Sequence, residues 1–149
     1  MTKANTLTIG IDATNLRVGG GVTHLVELLR AVQPSMFGVD RIVIWGGTLT
    51  LKALEDRPWL IKLNPPALDK GLLQRTFWQR YSLSKVVRDE RCDVLFVPGG
   101  NYAGNFHPVV TMSRNLLPFE MRESWRYGWS LLMLKNVLLR LTLSRTFRQ

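Results

Sequence analysis

The sequence holds a single cysteine, Cys92, among 149 residues. No internal disulfide can form, so a disulfide scaffold is excluded. Histidines are as scarce: His24 and His107 stand far apart, and one cysteine with two distant histidines offers no metal-ligand spacing. Acidic residues are few, 11 Asp and Glu against 20 Lys and Arg, for a formal net charge of +9. No two carboxylates fall at a spacing that declares an acid–base pair, and no Asp-x-Asp is present to hold a metal-bound diphosphate. A Gly-Lys-Ser/Thr phosphate loop and a serine nucleophile elbow are both missing. Long apolar runs are missing too. The nearest, residues 125–143, is broken by Arg126, Lys135 and Arg140, so no transmembrane helix is expected. The opening residues lack the apolar core of a signal peptide. A cytoplasmic location is the expectation, with room for peripheral contact at the inner face of a membrane.

What remains is an ordinary globular composition, 46% hydrophobic and 21% charged, long enough for one domain with a real core. The positive charge is uneven. Residues 114–149 hold seven basic and two acidic residues, and no acid follows Glu123. Such a surface suits an anionic partner. Apolar, β-branched runs predict strands at 7–11, 41–45, 59–63, 93–97 and 108–112. Between them, a helix beginning near Val22 places Val22, Leu25, Val26, Leu29 and Val32 on one face. Gln33-Pro34 ends it. Residues 50–56 read as a short helix. A long helix is expected over 71–90, with Leu73, Phe77, Tyr81 and Ser84 near one line, and the chain from about residue 120 reads as helical. Strands that alternate with helices and are apolar on both faces predict an α/β fold. That fold is a Rossmann-like parallel sheet with helices on both faces, in which ligands bind beyond the carboxyl ends of the strands. The loops at 12–21, 98–106 and 113–119 would emerge there. The last helix lacks a returning strand, so the domain is expected to be incomplete at its C-terminus.

The central motif is Gly19-Gly20-Gly21, between the first strand and the first helix. Unpaired N–H groups and the helix dipole make such a start a phosphate site, and glycine removes the Cβ that would block approach. A dinucleotide fingerprint is excluded, because His24 stands where the third glycine belongs and the second strand ends at Trp45-Gly46 without an acid. The same glycines also suit a loop that lets the helix pack closely. His24, in the first helical turn, could approach a phosphate or sugar as a neutral group, or cap the helix. Asp12 and Asn15 could hold a hydroxyl-rich ligand or shape the loop through Asx turns. The segment 98–105, with Asn101, Tyr102 and Asn105, suits sugar recognition by amides and one ring; it also suits a long surface loop. His107 reads as structural. In the last segment Trp125, Tyr127 and Trp129 precede leucine-rich turns with Arg140, Arg145 and Arg148, the pattern of an interfacial helix or of a core helix with a solvated basic face.

Ile9-Gly10-Ile11-Asp12-Ala13-Thr14-Asn15-Leu16-Arg17, running into Gly19-Gly20-Gly21-Val22-Thr23-His24-Leu25, resembles the opening of a glycosyltransferase of the family 4 type. The segments 93–100 and 111–120 are similar to later parts of that family's N-terminal half. The resemblance implies a two-domain GT-B enzyme with its active site in the cleft between two Rossmann-like domains. The N-terminal domain would take a sugar, glycan or lipid-linked acceptor. A C-terminal domain would take most of the nucleotide-sugar donor and supply the catalytic Glu-x7-Glu acids, a pattern not found here. It implies that Gly19, Gly20 and Gly21 close over the donor diphosphate. Asn15, Arg17, His24, Asn101, Tyr102, Arg114 and Asn115 would face the acceptor or sugar. Transfer with retention, no metal and no cofactor are implied as well. Many relatives carry a His-Asp pair where this chain has Ser113-Arg114-Asn115. The expectation is an N-terminal fragment, inactive alone. The alternative is a non-catalytic basic module docking on anionic lipid or a phosphorylated ligand through residues 114–149. A nucleic-acid role would rest on charge alone and is not adopted.

Overall fold

The computed structural model describes residues 6–100 and 102–112. Expectations for Asn101, Arg114, Asn115 and the helix from residue 120 lie outside the described residues.

Runs such as Ile42-Val43-Ile44-Trp45 are apolar at every position because both faces of their strand are covered. Ile42 and Ile44 pack in one buried cluster, and Val43 and Trp45 in the other. Five strands arise this way: β1 (Leu7–Asp12), β2 (Val39–Trp45), β3 (Leu60–Leu63), β4 (Val94–Val97) and β5 (Val109–Thr111). They form one parallel sheet in the order β3-β2-β1-β4-β5. This is the Rossmann-like α/β arrangement that the alternating pattern predicts.

Helix α1 (Gly20–Ala31) lies on the first face, burying Leu25 and Leu29 against Ile11, Ile42 and Ile44, with Val22, Val26 and Val32 partly buried beside them. Each such leucine is worth roughly 1.5–3 kcal/mol in area removed from water. The helix starts two residues earlier than the sequence suggests, taking Gly20 and Gly21 into its first turn. It ends at Ala31; Val32 is extended and Pro34 opens a 3-10 turn, where proline's missing N–H does no harm. Helix α2 (Thr48–Lys52) is a single short turn after β2.

The second face is covered by α3 (Leu72–Tyr81) and α4 (Leu83–Asp89). One helix was expected over 71–90; the chain instead breaks at Ser82, whose backbone departs from helical values (φ −107°). The predicted stripe is also corrected. Leu73, Phe77 and Tyr81 are 84, 68 and 68% exposed. The packed positions are Gln79 in α3 and Leu83, Ser84 and Val87 in α4. The break turns α4 so that Leu83 and Val87 enter the cluster with Val43, Leu95 and Val97, while α3 lies with its polar side over the loop after β1. Cys92 precedes β4 in this cluster, and burial pushes its thiol up to about 11.

Candidate functional site

All strands run parallel, so their carboxyl ends share one edge of the sheet. The sheet order reverses at β1: the chain leaves toward β2 and later returns to β4 on the other side. The loops after β1 and β4 therefore part at this point and leave a crevice, the usual ligand position in such sheets. They meet at its floor, where a Cβ on Gly99 would lie 3.5 Å from the Asn15 Cβ.

Asp12 closes β1 and is buried. It accepts a hydrogen bond from the Thr14 N–H at 3.0 Å and short ones from the Thr14 hydroxyl and the Gln79 side-chain amide. Burial raises its pKa above the ordinary carboxylate value, and the bonds from Thr14 and Gln79 oppose that rise. Both carboxylate oxygens are thus committed to shaping the loop, the Asx-turn role rather than a ligand-holding one.

Two guanidinium groups border the same loop. Arg75 of α3 donates to the Thr14 carbonyl at 3.1 Å, and Arg17 donates to the Lys70 carbonyl at 3.1 Å. The Arg75 Nε is buried without a hydrogen-bond partner. Its pKa is lowered by burial first and by the Arg17 charge second. Neither arginine forms an ion pair among the described residues. Asp69, which feels the Arg17 charge, is committed elsewhere: it accepts from the Thr48 hydroxyl at 2.6 Å and the Thr48 N–H at 2.7 Å. Those bonds hold its pKa below the ordinary value. Two like charges, one partly desolvated and neither neutralised, make a position where an anion would be stabilised.

The glycine turn opens onto the same edge. Gly19 has φ +78°, a conformation that residues with a side chain adopt only under strain. Its carbonyl accepts the Val22 and Thr23 N–H groups. No side chain caps α1, and among the described residues no acceptor reaches the N–H groups of Gly20 and Gly21. A Cβ on Gly19 or Gly20 would meet nothing within 4 Å, so the approach to the turn is open, while Gly21 itself is buried. His24 is the fifth residue of α1 and exposed. It stands two residues further along the helix than expected, beyond the first turn, because the helix begins inside the glycines.

Tyr102 is a correction. Its ring is only 6% exposed and belongs to the buried cluster under α4. Its hydroxyl accepts from the Phe106 N–H at 2.7 Å and donates to the Phe106 carbonyl at 3.3 Å. Gly104 makes this possible, since a Cβ there would lie 2.5 Å from the Tyr102 oxygen. The loop is pinned further by Arg80, which donates to the Ala103 carbonyl, and by Ser84, which accepts from the Asn105 N–H. Tyr102 therefore stabilises the loop from below and does not offer a stacking surface. His107 is exposed and joined to Pro108 by a cis peptide bond.

Comparison of the chain with family models, with curated proteins and with solved structures gave no match. The site must be read from its own geometry. A cleft of about 380 Å³ lies at the opposite edge, lined by Arg30, Gln33, Asp40, Arg57 and Trp59 among others. Its arginines are neutralised: Arg30 pairs with Glu27 and Glu55, and Arg57 with Glu55. It lies beside the start of β2, away from the carboxyl ends of the strands, and the crevice at the switch point is the better candidate. No group of three metal-ligating side chains occurs among the described residues.

The sequence reading picked out Gly19, Gly20, Gly21, Asn15 and Arg17, and these lie on the carboxyl edge of the sheet. It missed Arg75 and Gln79, which reach the β1 loop across 61 and 67 residues. Their one visible signal is a polar i, i+4 pair on the helix side away from Leu73 and Phe77.

Proposed function

We propose that this chain is the N-terminal, acceptor-side part of a glycosyltransferase that moves a sugar from a nucleotide-sugar donor to a hydroxyl. One observation carries the reading: the uncapped, glycine-opened start of α1 lies at the carboxyl edge with two guanidinium groups that, among the described residues, form no ion pair. Sugar transfer builds negative charge on the leaving diphosphate. The free N–H groups of Gly20 and Gly21 would donate to it, and Arg17 and Arg75 would balance its charge. Asn15, beside Gly99, would contact a hydroxyl of the acceptor between the two loops. The catalytic carboxylates and most of the donor site would belong to a second domain. The resemblance of residues 9–25 to the opening of family 4 enzymes supports the same division.

The test is a titration of the chain with nucleoside diphosphates and inorganic pyrophosphate, followed by backbone amide shifts. The expected result is weak, saturable binding that moves the Gly20 and Gly21 amides. Arg75→Gln should weaken it about tenfold, the loss of one charge-assisted hydrogen bond. Absence of any shift at these amides would overturn the reading. Sugar transfer by the 149-residue chain alone would overturn the division into two domains.

A further inference from the structure

We propose that the outer face of α3 docks this chain on an anionic lipid surface. The first observation is a ridge of apolar side chains left in water. Leu73, Phe77 and Tyr81 follow one another at four-residue steps along one side of α3 and are all more than two-thirds exposed. The Phe77 and Tyr81 rings touch, with centroids 4.8 Å apart, so two aromatic faces act as one surface. Leu72, at the first position of the helix, is 63% exposed beside them.

The second observation is charge. Between Asp69 and Asp89 the chain carries five cations and no acid; Arg75 is turned inward to the β1 loop, and Lys70, Arg80, Lys85 and Arg88 are exposed. Arg80 shares the exposed side of α3, and Lys85 and Arg88 are exposed on α4. An apolar ridge with leucine and aromatic anchors, accompanied by exposed cations on the same two helices, matches what an anionic bilayer offers: an apolar layer beneath negative headgroups. The same charge argues against a second copy of this chain as the occupant. A two-fold contact would set the cations of α3 and α4 mostly against their own copies.

The position adds a consequence independent of any sugar chemistry. Helix α3 begins at the carboxyl edge of the sheet, where Arg75 holds the β1 loop. A surface docked on its outer face borders the crevice, so a ligand anchored in that surface meets the site without leaving the lipid. The residues that make this face are other than those of the basic segment 114–149.

The full chain is tested by co-sedimentation with vesicles of phosphatidylcholine, alone or with about a third phosphatidylglycerol, at low and high salt. Binding is expected to the anionic vesicles only, falling about tenfold or more in high salt. Leu73→Ser combined with Phe77→Ser should weaken binding about tenfold, and Arg80→Glu with Lys85→Glu should do the same. Met36→Ser with Phe37→Ser, an equally exposed apolar pair outside α3, should leave it unchanged. Thermal melting of each variant confirms that the fold persists. Failure of the chain to bind anionic vesicles at low salt would leave the ridge to a protein partner and overturn the proposal. So would full binding by the Leu73→Ser, Phe77→Ser chain when neutralising Arg140, Arg145 and Arg148 abolishes it. A change of oligomeric state in the ridge variant without lipid would also overturn it, assigning the face to a second copy.

Discussion

Asp12 shows how one residue holds the candidate site together at a cost. Its carboxylate is buried and receives donors from Thr14 and Gln79, yet burial outweighs them and its pKa is raised. The folded state therefore holds the proton more tightly than the unfolded chain. Stability is highest below the ordinary carboxylate range, falls as pH rises from that range to the raised value, and stays lower above it. Removing the charge should recover the difference. Asp12→Asn, with Gln79 turning its amide to match, should be more stable at pH 7 by about 1 kcal/mol, raising Tm by about 2–4 °C. The gain should vanish as pH falls to the ordinary carboxylate range. Melting curves of both chains across pH check this; a gain that grows on acidification would contradict the account. Tyr102 teaches a different lesson at the same scale. An aromatic in a glycine- and asparagine-rich loop looks like a recognition ring, but Gly104 lets the loop fold over it. The contact with Phe106 is made within the loop itself, and composition cannot show which way such a ring turns.

Among the elements, α3 and α4 carry the main contrast. Leu83 is fully buried beside Val43 and Leu95, whereas Leu73 is exposed. Leu83→Ala should destabilise by about 2–5 kcal/mol, and Leu73→Ala should change stability by no more than about 0.5 kcal/mol. Urea unfolding of the two variants decides between this packing and a core-facing Leu73–Phe77–Tyr81 stripe. The strands were legible in the sequence because burial on both faces leaves continuous apolar runs, as in 42–45 and 94–97, that nothing else explains. Helix α1 was legible because its apolar face meets an apolar sheet, so Leu25 and Leu29 keep helical period. Helix α3 broke the rule because its inner face meets a polar loop. There Arg75 and Gln79 meet the loop and Trp78 is partly buried against the second cluster, while Leu73, Phe77 and Tyr81 are turned outward. The glycine turn could be seen locally, since strand, glycines and helix are adjacent in the chain. The arginine pair could not, because the contact between Arg75 and Thr14 depends on how β3 returns to β4.

At the scale of the molecule, the two edges of the sheet differ in charge bookkeeping. Arg30 and Arg57 share Glu55 near the start of β2, while Arg17 and Arg75 on the carboxyl edge have no such partner among the described residues. Exposed apolar groups stand at both edges: Val18 after β1, Leu49 in α2 and Leu72 at the start of α3 on the carboxyl side, and Met36 and Phe37 before β2 on the other. No helix among the described residues is long and apolar enough to cross a membrane.

Cys92 turns the interior of the second cluster into a clock. It is the chain's one thiol, it is buried, and burial pushes its pKa up to about 11, so at neutral pH it is un-ionised and shielded. A disulfide reagent such as Ellman's should colour the native protein no faster than the cluster opens. The labelling rate then reports the unfolding of the sheet directly, with no dye and no denaturant. Reaction within seconds under native conditions would mean that the end of the sheet where β4 begins is open. The same silence makes the chain a clean background: a thiol placed at any exposed position would be the one that reacts.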